Sequence, residues 1–196
     1  LSHYPESERI HAVRMAHHDG CTALHSAARL GNFEAIATIL AIYPESERLQ
    51  ALNETDRYGD TVLRLVAGSN NVECIKAVLS LYPESERLHL VSMEDNYGWT
   101  VLHCAARSGN PGSIKLILSL LSETERLRAL KIQDRSGNTA LHCAAKSGHV
   151  EVIKTVLALY PESHHLTTLN MTNEDKESVL HCAVDSNDIE CIKTVL

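Results

Sequence analysis

Apolar residues recur along this chain at two periods. Over short stretches they take the three- and four-residue spacing of an amphipathic helix, as Val152, Ile153, Val156 and Leu157 do. Over longer stretches the whole pattern returns every 39 residues. That step carries Leu24 to Leu63, Leu102, Leu141 and Leu180, and Ile36 to Ile75, Ile114, Ile153 and Ile192. It also carries Thr22 to Thr61, Thr100, Thr139 and Ser178. Tyr-Pro-Glu-Ser opens at Tyr4, Tyr43, Tyr82 and Tyr160, and Leu121 fills the missing slot. The copies run without insertion or deletion. Units of this size cannot bury an apolar face alone, so they must stack.

One copy predicts two helices. Thr139 is a candidate N-cap ahead of Ala140, Leu141, Ala144 and Ala145. Gly148 stops that helix where the chain needs a left-handed residue. The same slot holds Gly31, Asn70, Gly109 and Asn187, the two residue types that tolerate that conformation best. A second helix follows, with Val152, Ile153, Val156 and Leu157 at helical spacing. The alanines keep the first helices thin, so neighbouring copies can approach closely. Between the second helix and the next copy lies YPESERLxAL. Its Pro at a first-turn position, its acids and its spaced leucines predict a short third helix. A row of such helices either stiffens the connector or forms a second surface.

The strings TALHSAARLGNFEAI, TVLHCAARSGNPGSI and TALHCAAKSGHVEVI resemble the T-P-L-H-x-A-A-x-x-G-H-x-E-V pattern of the ankyrin repeat. The resemblance covers essentially the whole chain. It implies an all-α solenoid with short β-hairpin fingers, here with a third short helix per repeat. Residues 1–196 read as one domain, with repeats at about 4–42, 43–81, 82–120, 121–159 and 160–196. Each repeat exceeds the roughly 33 residues typical of the family. Pro is missing from the T-P-L-H slot in every copy, and Arg64 replaces the His of the second. Lys176 stands where the fifth finger should have Gly, which predicts a distorted or frayed turn. No polar cap marks the first or last copy, so more chain is expected on at least one side.

Composition narrows the function. Aromatics are scarce, with one Trp, one Phe and six Tyr, which favours many small packing units over one large core. The formal net charge of −7 disfavours nucleic acid and anionic membrane as the main partner. The run Ala35–Tyr43 is too short to span a bilayer. Cys104, Cys143 and Cys182 share one phase, Cys74 and Cys191 another, and Cys21 is alone. Residues one repeat apart sit about 8–10 Å from each other, too far for a disulfide or a shared zinc ion. Reduced thiols fit the cytoplasm or nucleus. No metal, cofactor or catalytic residue is assigned: the familiar nucleophile, zinc and phosphate-binding signatures are missing. His25, His103, His142 and His181 are expected to bond within and between repeats.

The resemblance places a partner protein against the finger tips and the exposed face of the first helices. Independently, packing fixes the periodic slots, so specificity must come from exposed slots that change between copies. Those are Tyr58, Asp60, Tyr97, Trp99, Arg135 and Asn138 on the fingers, with Arg64, Leu65, Arg107 and Lys146 on the first helices. Trp and Tyr bury large rigid areas with a polar handle; Trp99 is instead free to fold onto a neighbouring finger. The basic strip of Arg29, Arg107 and Lys146 predicts a partner with an acidic segment and an apolar anchor. Lys76, Lys115, Lys154 and Lys193 form a second row, with Glu73, Glu151 and Glu190 three residues ahead of three of them. That row reads as a salt-bridged solvent face. The expected function is protein–protein interaction by a monomer. The alternative is a targeting arm of a larger enzyme or of a secreted bacterial effector acting in host cytosol. Nucleic-acid binding and a mechanical spacer are weaker readings.

Overall fold

The computed structural model describes residues 4–196, which form fifteen helices and no strand ladder. Three kinds of helix alternate. Inner helices are α2 (Ala23–Arg29), α5 (Val62–Gly68), α8 (Val101–Ser108), α11 (Ala140–Lys146) and α14 (Val179–Asp185). Outer helices are α3 (Phe33–Leu40), α6 (Val72–Ser80), α9 (Pro111–Ser119), α12 (Val150–Ala158) and α15 (Ile189–Val195). Edge helices are α1 (Glu6–Arg14), α4 (Glu45–Asn53), α7 (Glu84–Ser92), α10 (Glu123–Ala129) and α13 (Glu162–Leu169). The last set is the third helix expected from the extension. Inner helices pack on inner helices and outer on outer, so the core runs the length of the stack.

The periodic residues do what their spacing requires. Leu24, Leu63, Leu102 and Leu141 are buried, as are Ile36, Ile75, Ile114 and Ile153. Ala28, Ala67, Ala105, Ala106, Ala144 and Ala145 are fully covered. A larger side chain in those slots would push the inner helices apart. Each inner helix ends before a left-handed residue: Gly31, Asn70, Gly109, Gly148 and Asn187 all have φ between 56° and 85°.

The histidines join repeats. In α11 the Nδ1 of His142 accepts from the Thr139 N–H at 3.2 Å. Its proton therefore sits on Nε2, which donates to the Met171 carbonyl at 3.0 Å in the next repeat. His25 and His103 make the same two kinds of contact, reaching the carbonyls of Glu54 and Asn138. His181 keeps the cap with Ser178. Burial holds His103 and His142 below the usual value of 6.5. A lowered folded-state value means that neutral imidazole contributes stability above about pH 6.5, and that this is lost as pH falls through the folded value. The urea midpoint of the wild type is expected to drop between about pH 7 and pH 5, and to drop less in His103→Asn/His142→Asn. Parallel pH profiles for the two proteins would refute the assignment.

The first two edge helices are tied in through the Tyr of Tyr-Pro-Glu-Ser. Tyr43 Oη donates to the Val13 carbonyl at 3.2 Å, and Tyr82 Oη donates to that of Leu52 at 3.1 Å. Each buried hydroxyl thus satisfies a carbonyl at the end of the preceding edge helix. On the outer row, Lys154 pairs with Glu151 at 2.9 Å and Lys193 with Glu190 at 2.8 Å. Both pairs are exposed.

The fingers are tight turns rather than ribbons. Among the described residues only isolated antiparallel bridges are found, Ala16 with Thr22 and Thr172 with Ser178. The fifth finger corrects the expectation of a frayed turn. Lys176 itself adopts φ 62°, and its N–H donates to the Asn173 carbonyl at 3.0 Å. The turn closes with a lysine in a conformation that costs an L-residue about 1–2 kcal/mol.

Candidate partner-binding groove

The three middle fingers hold their shape through one aspartate each, and in the fifth finger Asn173 Oδ1 takes that place by accepting from the Glu177 N–H at 2.8 Å. Asp56 Oδ1 accepts from the N–H groups of Tyr58 and Asp60 at 2.9 and 3.0 Å. Asp95 does the same for Tyr97 and Trp99, and Asp134 for Ser136 and Asn138. Adjacent fingers are then joined by one backbone hydrogen bond per junction. Arg57 N–H donates to Asp19, Asn96 N–H to Tyr58, Arg135 N–H to Tyr97 and Glu174 N–H to Ser136, at 2.8–3.1 Å. Side chains at slots 58, 97 and 136 therefore project at regular intervals from a braced backbone.

Between the middle fingers and the inner helices lies an open groove of about 600 Å³. Tyr58, Asp60, Arg64, Leu65, Tyr97, Trp99, Arg107 and Arg135 all line it, with Arg29, Asp95, Cys104 and Asp134 among the others. Two of the residues expected at the surface lie outside it. Asn138 is spent between fingers, accepting at Oδ1 from Asn173 Nδ2 at 3.1 Å. Lys146 is exposed at the end of α11, beyond the lining.

Arg64 is the main departure from the sequence reading. It is only 2% exposed, so it forms the floor of the groove rather than a reaching contact. Nε and Nη2 donate to Asp60 Oδ1 at 3.0 Å, Nη1 to the Trp99 carbonyl at 3.0 Å and Nη2 to the Gly59 carbonyl at 3.2 Å. Nη2 also pairs with Asp95 Oδ2 at 2.9 Å. The guanidinium thus replaces the histidine of the other copies and reaches the third finger through more bonds. Burial raises the Asp60 carboxyl, against the lowering pull of Arg64.

Trp99 is half-buried, with its ring beside residues of its own inner helix. The Arg107 guanidinium carbon is 5.1 Å from the centre of the indole, and the His103 ring is 6.0 Å away and tilted. Tyr58 is engaged by Arg57, whose Nη2 donates to its hydroxyl at 2.7 Å. Tyr97 stands free at 54% exposure. The three acids of the lining are consumed by the turns and by Arg64. Among the described residues, no hydrogen bond or ion pair occupies the guanidinium groups of Arg107 and Arg135. The charge left on offer is positive, beside aromatic rings.

All six thiols are free. Burial pushes Cys104 and Cys143 up to about 12 and Cys182 to about 11, which favours the thiol over the thiolate near neutral pH. No helix is long and apolar enough to cross a membrane, among the described residues.

Family models agree with this architecture. A model described as "Ankyrin repeats (3 copies)" matches residues 40–128 and 112–196, and one described as "Ankyrin repeat" matches residues 19–43. A comparison with curated proteins gives no significant match. The chain belongs to the ankyrin-repeat family, whose members are generally protein–protein interaction modules without catalytic activity of their own.

Proposed function

We propose that the groove lined by Tyr58, Tyr97, Trp99, Leu65, Arg107 and Arg135 is the surface with which this chain grips a partner protein. The observation that carries the reading is the placing of guanidinium groups without an ion-pair partner, those of Arg107 and Arg135, beside the exposed Tyr97 and the half-buried Trp99 on a braced backbone. Arg is suited to carboxylate recognition by its planar fork. Tyr97 and Trp99 offer rigid area at low entropic cost. The partner therefore carries an acidic segment beside an apolar anchor, and the chain binds it as a monomer. Six free thiols favour a reducing compartment, cytoplasmic or nuclear.

The test starts from a photo-crosslinking residue placed at Tyr97 and, in a second protein, at Lys115 on the outer helices. A partner captured in cells from position 97 and not from 115 is the expected result. Its dissociation constant should rise about tenfold with Tyr97→Ala and with Arg107→Ala, and more steeply with salt for the wild type than for Arg107→Ala. Capture from position 115 alone, or unchanged affinity in both variants, overturns the reading.

A further inference from the structure

The first finger carries a cluster that the repeat does not require. In the next three fingers the slot of His17 holds Asp56, Asp95 and Asp134, each bracing its turn. In the first finger His17 is turned outward, with its side chain 67% exposed. The bracing contact comes instead from Asp19, whose Oδ1 accepts from the Cys21 N–H at 3.2 Å. His18 follows directly, its ring centre 4.2 Å from that of His17. One donor atom from each of His17, His18 and Asp19 lies within 4.8 Å of the others. His17 Nδ1 and Asp19 Oδ1 are already 3.3 Å apart.

That last separation is the one a metal ion needs. With bonds of about 2.0–2.2 Å and tetrahedral angles, two ligand atoms on one zinc ion are about 3.4 Å apart. The remaining closure falls on the exposed ring of His18. The backbone beneath is fixed. His17 N–H donates to the Cys21 carbonyl and Gly20 N–H to that of His17, both at 2.9 Å, and Arg57 N–H holds the Asp19 carbonyl from the second finger at 2.8 Å. Three ligands therefore project from a turn whose main chain need not move.

We propose that His17, His18 and Asp19 form a binding site for a divalent transition-metal ion of the zinc class. Two imidazoles and one carboxylate select zinc over magnesium or calcium, which prefer oxygen ligands throughout. The open side of the turn leaves a fourth position to water.

The measurement is titration of zinc chloride into the chain, free of any histidine tag, by calorimetry, with a thermal melt at each end. One ion per chain and a raised Tm are expected, both unaffected by excess magnesium or calcium. His17→Ala/His18→Ala should lose both the binding and the Tm shift, and Asp19→Asn should weaken the binding. His164→Ala/His165→Ala, which removes the other adjacent histidine pair, should keep both. Circular dichroism checks that each variant is folded. No saturable binding by the wild type overturns the proposal, as does binding that survives the first double variant or disappears with the second.

Discussion

Arg64→Ala is expected to destabilise the chain by about 3–5 kcal/mol, the range for removing one partner of a buried ion pair. The cost is not the pair's own worth. It comes from what stays behind: Asp60 and Asp95 facing the same site without their guanidinium, the Gly59 carbonyl without that donor, and the Trp99 carbonyl with only the Asp95 N–H. The Asp95 side chain is only 8% exposed, so water cannot take over the role. Burial already raises Asp60, and the nearby charges of Asp56 and Asp95 push it the same way. Without the lowering pull of Arg64 its folded-state value, already above the unfolded one, must rise further. A raised carboxylate makes the variant recover as pH falls and the proton is taken up. The deficit relative to the wild type should therefore be largest near neutral pH and shrink on acidification. Adding Asp60→Asn to Arg64→Ala should restore part of the loss at neutral pH. Urea denaturation of the three proteins at several pH values measures this. A deficit below about 1 kcal/mol, or one independent of pH, would show that the site is solvated and the network incidental.

That network also marks the limit of what the sequence disclosed. The solenoid was legible because packing imposes a strict period: Leu24 and Ile36 have counterparts in every copy, and the left-handed slot admits only Gly and Asn. The edge helices were legible from Pro, acids and spaced leucines. Of the groove, the variable finger slots gave Tyr58, Tyr97, Trp99 and Arg135, since what packing leaves free is what varies. Arg64 reads as a partner contact because its slot changes between copies. The same slot carries the contrary signal. The other four copies have a histidine there, expected to bond between repeats, so an arginine beside Asp60 can take the same place if a second acid meets it. The second acid, Asp95, lies a repeat away, and only the stacking brings it within reach. Asn138 lies outside the groove for the converse reason: its side chain meets Asn173 of the next finger.

Lys176 misled in another way, and its correction yields the second large expected effect. Gly137→Ala should cost about 3 kcal/mol, while Lys176→Gly, at the same place in the next turn, should gain about 0.5–1 kcal/mol. Both residues have positive φ, 81° and 62°. Backbone strain alone would make the two substitutions near mirror images. The difference is what stands opposite. A Cβ on Gly137 would lie 2.7 Å from the Glu174 nitrogen and 2.8 Å from the Asn173 Cα, both backbone atoms of the following finger. The fingers would have to part, and the Glu174 N–H to Ser136 hydrogen bond of 2.9 Å would stretch with them. Gly98 is confined in the same way by the nitrogen of Arg135, at 2.9 Å. At Lys176 the side chain is exposed and no further finger stacks on the turn among the described residues. There only the dihedral cost applies, and glycine relieves it, less the entropy that glycine adds to the unfolded chain. Urea midpoints of the two single variants decide the matter. Equal and opposite shifts would mean that strain within each turn dominates; a loss at 137 several times the gain at 176 would mean that glycine is held there by the neighbouring finger's backbone. The same steric account predicts that Gly137→Ala perturbs the amide resonances of Asn173 and Glu174, one repeat away, while Lys176→Gly leaves Ser136 and Gly137 undisturbed.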